Sequence, residues 1–146
     1  MAVLLDARSR RIVGWALADH LRTELAADAL TMALRARQPP AGLVHHTDRG
    51  GQYTAHDYQA RLTRRGVVPS MSRAGDGYDN ALAESFLSTI EAERIDARPW
   101  PTRRAAHQAI FAWIEVFYNR QRLHSALGFQ NPVTFALALA TEAQAA

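Results

Sequence analysis

The stretch from Val44 to Glu84 organises the rest of this chain. It opens with Val44-His45-His46-Thr47-Asp48-Arg49-Gly50-Gly51-Gln52-Tyr53 and closes with Asp79-Asn80-Ala81-Leu82-Ala83-Glu84-Ser85-Phe86. Asp48 stands where a short apolar strand gives way to a glycine-rich turn, and functional groups in open α/β sheets collect at the carboxyl ends of strands. Glu84 stands in the first turns of a predicted helix, with 35 residues between the two acids.

Two carboxylates, one at a strand end and one on a helix, are suitable ligands for hard divalent cations such as Mg²⁺. Two such ions about 4 Å apart activate a nucleophile and stabilise a leaving oxygen during phosphodiester cleavage. The pattern therefore predicts Asp48 and Glu84 as metal-binding catalytic residues. The spacing alone is weak support, since about 0.25 such pairs arise by chance in this composition. Asp48 also fits a plain turn residue, and Glu84 a solvated residue near a helix N-terminus.

The composition describes a folded and mildly basic protein. A chain of 146 residues with 48% hydrophobic residues fits one domain with a real core. The absence of cysteine excludes a disulfide scaffold and a thiol nucleophile, and no apolar run approaches the ~20 residues that span a membrane. All 17 basic residues are arginine, which pairs well with phosphate, but a net charge of +3 does not by itself identify a nucleic-acid partner.

The spacing of apolar residues predicts an α/β fold. Two apolar runs, 1–5 and 11–17, predict a β-hairpin. Steps of three and four from Leu25 to Leu34 predict a helix with Thr23 as its N-cap, and the strand after it predicts a crossover unit with a parallel sheet. Further strands are predicted at 42–46 and 67–69, and further helices at 54–66 (capped by Thr54), from 79 or 80 to about 94, at 102–122, and from 132 onward.

Four separated blocks closely resemble the integrase-core transposases of bacterial insertion sequences, which are relatives of retroviral integrases. The blocks are Ser9-Arg10-Arg11-Ile12-Val13-Gly14-Trp15, the two quoted above, and Tyr118-Asn119-Arg120-Gln121-Arg122-Leu123-His124-Ser125-Ala126-Leu127-Gly128-Phe129 followed by Pro132. The resemblance implies an RNase H-like mixed sheet with flanking helices, DNA strand transfer with Mg²⁺ or Mn²⁺, and an Asp-Asp-Glu triad. In that triad Asp48 matches the second Asp and Glu84 the Glu. It also implies DNA partners (transposon ends and target), a homo-oligomer in the full-length form, and a bacterial cytoplasmic, nucleoid-associated location.

The chain departs from this family at the first Asp of the triad. In the family that residue lies on a strand preceding the hairpin, at the centre of the sheet, and this sequence lacks that stretch. Asp6 lies in a turn and is not assigned the role. We therefore expect a catalytic core without its first strand over residues 1–100 and a helical C-terminal extension over 101–146. We also expect the chain to be inactive and poorly stable on its own.

Other polar residues of the two blocks are candidates for contact with DNA. Arg49, Gln52 and Tyr53 follow Asp48 on the catalytic rim, although turn packing explains them equally well, and Arg73 and Asn80 border a loop that lies near DNA in relatives. His45 and His46 are expected to be strand-end residues, one inward and one outward. Two alternative functions remain open: a non-catalytic DNA-binding or oligomerising fragment that regulates a transposase, and an RNase H-type nuclease with its own third acid.

Overall fold

The computed structural model describes residues 1–19, 22–72, 81–95 and 99–145. Its strands are Ala2–Leu5 (β1), Ile12–Ala16 (β2), Val44–Thr47 (β3) and Val68–Met71 (β4). Its α-helices are Thr23–Arg37 (α1), Gly51–Thr54 (α2), His56–Thr63 (α3), Ala81–Ile90 (α4), Arg103–Ala112 (α5) and Pro132–Ala145 (α6). Helices α4 and α5 continue into the π-helical segments Glu91–Ile95 and Trp113–Tyr118, and a 3₁₀ turn, Ser125–Leu127, precedes α6. The predicted order of strands and helices is confirmed, except that the short helix α2 was not predicted.

The contacts divide the chain into two compact units, which are described separately. The first unit contains Met1–Leu4 and Val13–Ser85, and the second contains Leu5–Ile12 and Phe86–Ala146. Asp48 and Glu84 both belong to the first unit. The functional division into a catalytic core over 1–100 and an extension over 101–146 remains a prediction.

The strands form two separate pairs. β1 pairs with β2 in the predicted hairpin, whose turn is closed by the Asp6 N–H donating to the Arg11 carbonyl at 2.9 Å. β3 pairs in parallel with β4, from Val44 opposite Val68 to Thr47 opposite Met71. The chain between β3 and β4 forms α2 and α3, so this pair is joined by a parallel crossover. The crossover predicted around α1 is wrong for the described residues, because β2 and β3 belong to separate pairs. Among the described residues no further strand joins the two pairs into one sheet.

The helix starts show two errors in the predicted caps. Helix α1 begins at Thr23 itself, and the residue at its N-cap is Arg22, whose side chain makes no cap hydrogen bond. Helix α3 has Ala55 at its N-cap, because Thr54 ends the separate short helix α2. A threonine near a helix start is a common signal, but which residue takes the extended cap conformation depends on how the preceding turn packs.

The core of the first unit lies between α1 and α3. Its buried members are Ala26, Ala27, Leu30, Leu34, Tyr58, Leu62 and Val67. Small residues on α1 leave room for the ring of Tyr58, which is fully buried. Burying each large side chain contributes about 1.5–3 kcal/mol. This cluster therefore stabilises the part of the unit that supports β3 and the turn after it.

The second unit has an aromatic core. Phe86 on α4 lies edge-on to Tyr118, with ring centroids 4.9 Å apart, and packs against Trp113 at 5.9 Å. All three side chains are buried, so Trp113 is a core residue. The amide of Asn119, also buried, pairs with both backbone polar groups of Ile12: its Oδ1 accepts from the N–H at 2.9 Å, and its Nδ2 donates to the carbonyl at 3.0 Å.

No helix in the described part of the chain combines the length and the apolar character that a membrane span needs.

Candidate functional site at the end of strand β3

Asp48 is the first residue beyond strand β3, and its side chain is exposed. Its Oδ1 accepts a hydrogen bond from the Gly50 N–H at 2.8 Å. This bond closes a tight turn and fixes the carboxylate relative to the backbone. The result is an oriented carboxylate on the surface, at the strand end where the sequence predicts a functional acid.

Gly50 leaves space that the side chains of Asp48 and Gln52 occupy. A Cβ at position 50 would lie 2.9 Å from the Asp48 Oδ1 and 2.7 Å from the Gln52 Nε2. The ends of both side chains therefore lie close to the bare backbone of the glycine. Tyr53 adjoins them: burial raises the pKa of its hydroxyl, the charge of Asp48 raises it further, and a hydrogen bond with Gln52 acts in the opposite direction.

Tyr53 and Gln52 are only half-exposed at this position. The Tyr53 ring lies edge-on to the buried Tyr58, with centroids 5.4 Å apart, so the ring supports the core and its hydroxyl end lies near Asp48. Contact of Arg49, Gln52 or Tyr53 with DNA remains a prediction. Arg73 and Asn80, the other two candidate DNA contacts, lie outside the described residues.

Ser72 is a site residue that the sequence did not reveal. It follows β4, is 4% exposed, and its N–H donates to the Thr47 carbonyl at 3.0 Å. Its hydroxyl lies 2.9 Å from the His46 Nε2, and its carbonyl accepts from the Arg49 Nε at 3.0 Å. Ser72 thus bonds the residues on both sides of Asp48. The only sequence signal is a serine at the end of a neighbouring strand. Its bonds to the residues around Asp48 become apparent only from the register of β3 and β4.

The two histidines point to opposite faces of β3, as predicted. His46 is exposed, and its Nδ1 lies 3.0 Å from the Ser70 hydroxyl. His45 faces the core, where its Nε2 lies 2.8 Å from the hydroxyl of Tyr58. Burial, and secondarily the charge of His46, lowers the pKa of His45 to about 4, while burial raises the pKa of Tyr58. His45 is therefore a neutral core residue that holds β3 on α3.

Acid should destabilise the protein through His45. Between its unfolded pKa near 6.5 and its folded pKa of about 4, the unfolded chain binds a proton that the folded chain does not. The contribution of His45 to the free energy of unfolding is thus complete above pH 6.5. It falls as the pH drops, by about 2 kcal/mol between pH 7 and pH 5. Urea titrations at several pH values measure this fall.

The comparison that isolates His45 uses two glutamine variants. His45→Gln should lose most of the dependence between pH 7 and pH 5, whereas His56→Gln, at an exposed histidine on α3, should keep it. A wild-type unfolding free energy that stays level over this range would contradict the assignment.

Glu84 lies in the first turn of α4, and its side chain is exposed. The apolar residues Phe86 and Ile90 lie on the buried face of the same helix, whereas Glu84 lies on its exposed face. The described residues contain no cluster of three or more His, Asp or Glu side chains that could hold a metal. Catalytic and metal-binding roles for the two acids remain predictions.

Asp6 has a structural role in the hairpin turn. Its Oδ1 accepts from the N–H groups of Arg8 at 3.0 Å and Ser9 at 3.1 Å. This agrees with leaving Asp6 out of the predicted triad.

Comparison with known proteins gives two family-model matches, both described as integrase core domain, at residues 1–76 and 65–132. The chain is 42% identical over 135 residues to the transposase for insertion sequence element IS904 of Lactococcus lactis, covering 92% of this chain and 53% of that protein. It is also 42% identical over 135 residues to transposase InsF of Escherichia coli K12, covering 47% of that protein. The chain spans about half the length of these curated relatives.

Two solved structures show the same fold at low sequence identity. A chain of the simian T-cell lymphotropic virus intasome in complex with PP2A regulatory subunit B56 gamma matches 91% of this chain with a TM-score of 0.72 and 14% identity, over 46% of its own length. The HTLV-2 integrase catalytic core domain in complex with magnesium matches 91% of this chain with a TM-score of 0.65 and 15% identity, over 81% of its own length. The predicted α/β fold of the RNase H-like integrase core is confirmed.

Proposed function

Because the chain belongs to the integrase core domain family, we propose that it forms the catalytic-core part of a transposase, which cleaves DNA and transfers the cut strand to a target. The observation that carries this proposal is the oriented, exposed carboxylate of Asp48 at the carboxyl end of β3. Glu84, an exposed acid that also belongs to the first unit, supplies the second carboxylate. We further propose DNA as the partner, homo-oligomers in a longer form of the protein, and a bacterial cytoplasmic location near the nucleoid.

Asp48 and Glu84 fit the chemistry of a hard-cation site. Both are exposed carboxylates, and one Asp48 oxygen is already fixed by a backbone N–H, so oxygen ligands face solvent in a defined direction. Mg²⁺ or Mn²⁺ held by these residues would supply charge stabilisation at a scissile phosphate. The contribution of the chain itself is to orient the acids: Gly50 fixes the Asp48 carboxylate, and α4 presents Glu84 from its solvent face.

The two assigned acids form an incomplete triad. Asp6 is engaged by its own turn, and we assign no other described acid to the site. We therefore expect strand transfer to need a third carboxylate that these residues do not supply, and we expect little transfer when this chain is assayed by itself.

Titration with Mn²⁺ tests the proposal through binding. Wild-type protein, Asp48→Asn and Glu84→Gln are titrated calorimetrically, with Glu91→Gln as a matched control because Glu91 is an exposed acid one residue beyond α4. Each site variant should bind Mn²⁺ at least about 10-fold more weakly, and the control should match the wild type. Equal Mn²⁺ affinity in all four proteins would refute the metal site. Salt-dependent DNA binding in that case would support the non-catalytic DNA-binding alternative.

A further inference from the structure

The backbone around Asp48 is held by a single residue on the neighbouring strand. Ser72 uses its N–H, hydroxyl and carbonyl on three residues that flank Asp48: Thr47, His46 and Arg49. The hydroxyl also lies 3.4 Å from the Thr47 carbonyl. The residues before and after Asp48 are therefore all hydrogen-bonded to Ser72.

Ser72 lies just beyond the last paired residues of β3 and β4, and this position explains its importance. The β3–β4 register ends with Thr47 opposite Met71, so Asp48 lies one step beyond the last paired residue. A chain leaving a parallel strand has no ladder hydrogen bonds to direct it. The bond from the Ser72 N–H to the Thr47 carbonyl extends the ladder by one step, and the bond from Arg49 to the Ser72 carbonyl anchors the far side of the turn.

Ser72 and Asp48 differ in their exposure to solvent. Ser72 is 4% exposed and Thr47 8%, whereas the side chains of Asp48 and Arg49 are exposed. A buried hydroxyl that loses its partners is costly, so these bonds persist in the folded chain. Ser72 is not a member of the apolar cluster between α1 and α3, and its bonds go to the turn instead.

We propose that Ser72 is a positioning residue that sets the direction in which Asp48 presents its carboxylate. This inference rests on the proposed role of Asp48 as a metal-binding acid. It also assigns Arg49 a positioning role, since the Arg49 Nε donates a hydrogen bond to the Ser72 carbonyl.

Four substitutions separate positioning from general packing. Ser72→Ala removes the hydroxyl and keeps the backbone bonds, while Ser72→Thr restores a hydroxyl. Arg49→Met keeps the length of the side chain and removes the donor. Ser70→Ala is the matched control, because it removes a second serine hydroxyl that bonds His46 and leaves the bonds of Ser72 to Thr47 and Arg49 in place.

Two measurements on the whole chain give the readouts. In Mn²⁺ titrations, Ser72→Ala and Arg49→Met should each weaken binding about 10-fold, Ser72→Thr should return it to within about 3-fold of wild type, and Ser70→Ala should leave it unchanged. Hydrogen exchange of the Gly50 amide, which bonds the Asp48 carboxylate, should accelerate several-fold in Ser72→Ala without added metal.

The outcomes distinguish this inference from the proposed function. If wild type and Asp48→Asn bind Mn²⁺ equally, the metal site is wrong, and the Gly50 exchange rate alone decides whether Ser72 positions Asp48. If wild type binds and Ser72→Ala binds equally well, the positioning role is overturned. Should Ser72→Ala fail to fold, Arg49→Met and Ser72→Thr decide: wild-type affinity in Arg49→Met, or a 10-fold loss in Ser72→Thr, would reject the proposal.

Discussion

Replacing Gly14 with alanine is expected to destabilise the folded chain by about 3 kcal/mol or more. Gly14 lies in β2, and a Cβ at this position would overlap the carbonyl oxygen of Ala29 on α1 and lie 2.8 Å from the Cβ of Ala33. Both alanines are buried. Because the nearest obstacle is helix backbone, no side-chain rotation relieves the overlap, and either the strand or the helix must shift. Overpacking of this kind costs about 1–3 kcal/mol when side chains can adjust, and more when they cannot.

Urea denaturation of Gly14→Ala against wild type measures this cost. Gly51→Ala is the matched control, since nothing lies within 4 Å of a Cβ at that position and Gly51 is in the helix α2. The control should be neutral or slightly stabilised, because alanine is the better helix former. An unchanged denaturation midpoint for Gly14→Ala would show that β2 does not pack on α1 as described.

Replacing Asn119 with alanine is expected to cost about 4 kcal/mol. The Asn119 amide is 1% exposed and satisfies both the N–H and the carbonyl of Ile12, itself 2% exposed. Alanine would leave two buried backbone groups without partners, at about 1–3 kcal/mol each, and would add a cavity. The amide is required as such: Asn119→Asp keeps the acceptor for the Ile12 N–H but places a second acceptor against the Ile12 carbonyl.

The unfolding free energies of Asn119→Ala and Asn119→Asp at pH 7 test this prediction. Asn131→Ala serves as control, because the Asn131 Oδ1 accepts one hydrogen bond from the exposed Thr134 N–H at 2.9 Å. That substitution removes a helix cap and should cost about 1 kcal/mol. If Asn119→Asp were as stable as wild type, the bond to the Ile12 carbonyl would have no energetic role.

Local patterns in the sequence predict most of the fold. The two apolar runs predict the hairpin, and the steps of three and four predict α1. The parallel crossover lies between β3 and β4, around α2 and α3, rather than around α1 as predicted. The Asp48 turn follows from the same patterns, since a strand, an acid and two glycines define it. The cap assignments of Thr23 and Thr54 failed because the conformation before a helix depends on tertiary packing.

The support around Asp48 depends on contacts that no local pattern encodes. Ser72 and Asp48 are brought together by the register of two strands that lie 24 residues apart in sequence. The pairing of the Asn119 amide with Ile12 spans 107 residues. In both cases a polar side chain of an ordinary type acquires its role only from its position in the folded chain.

The β3–β4 register also restricts how this gene can vary in length. Side chains alternate between the two faces of a strand, so adding or removing one residue within β4 would turn the residues after it to the opposite face. Ser72 would then no longer meet the Thr47 carbonyl. Insertions and deletions within β4 should therefore be purged by selection, whereas changes of length in the connection before it leave the register intact.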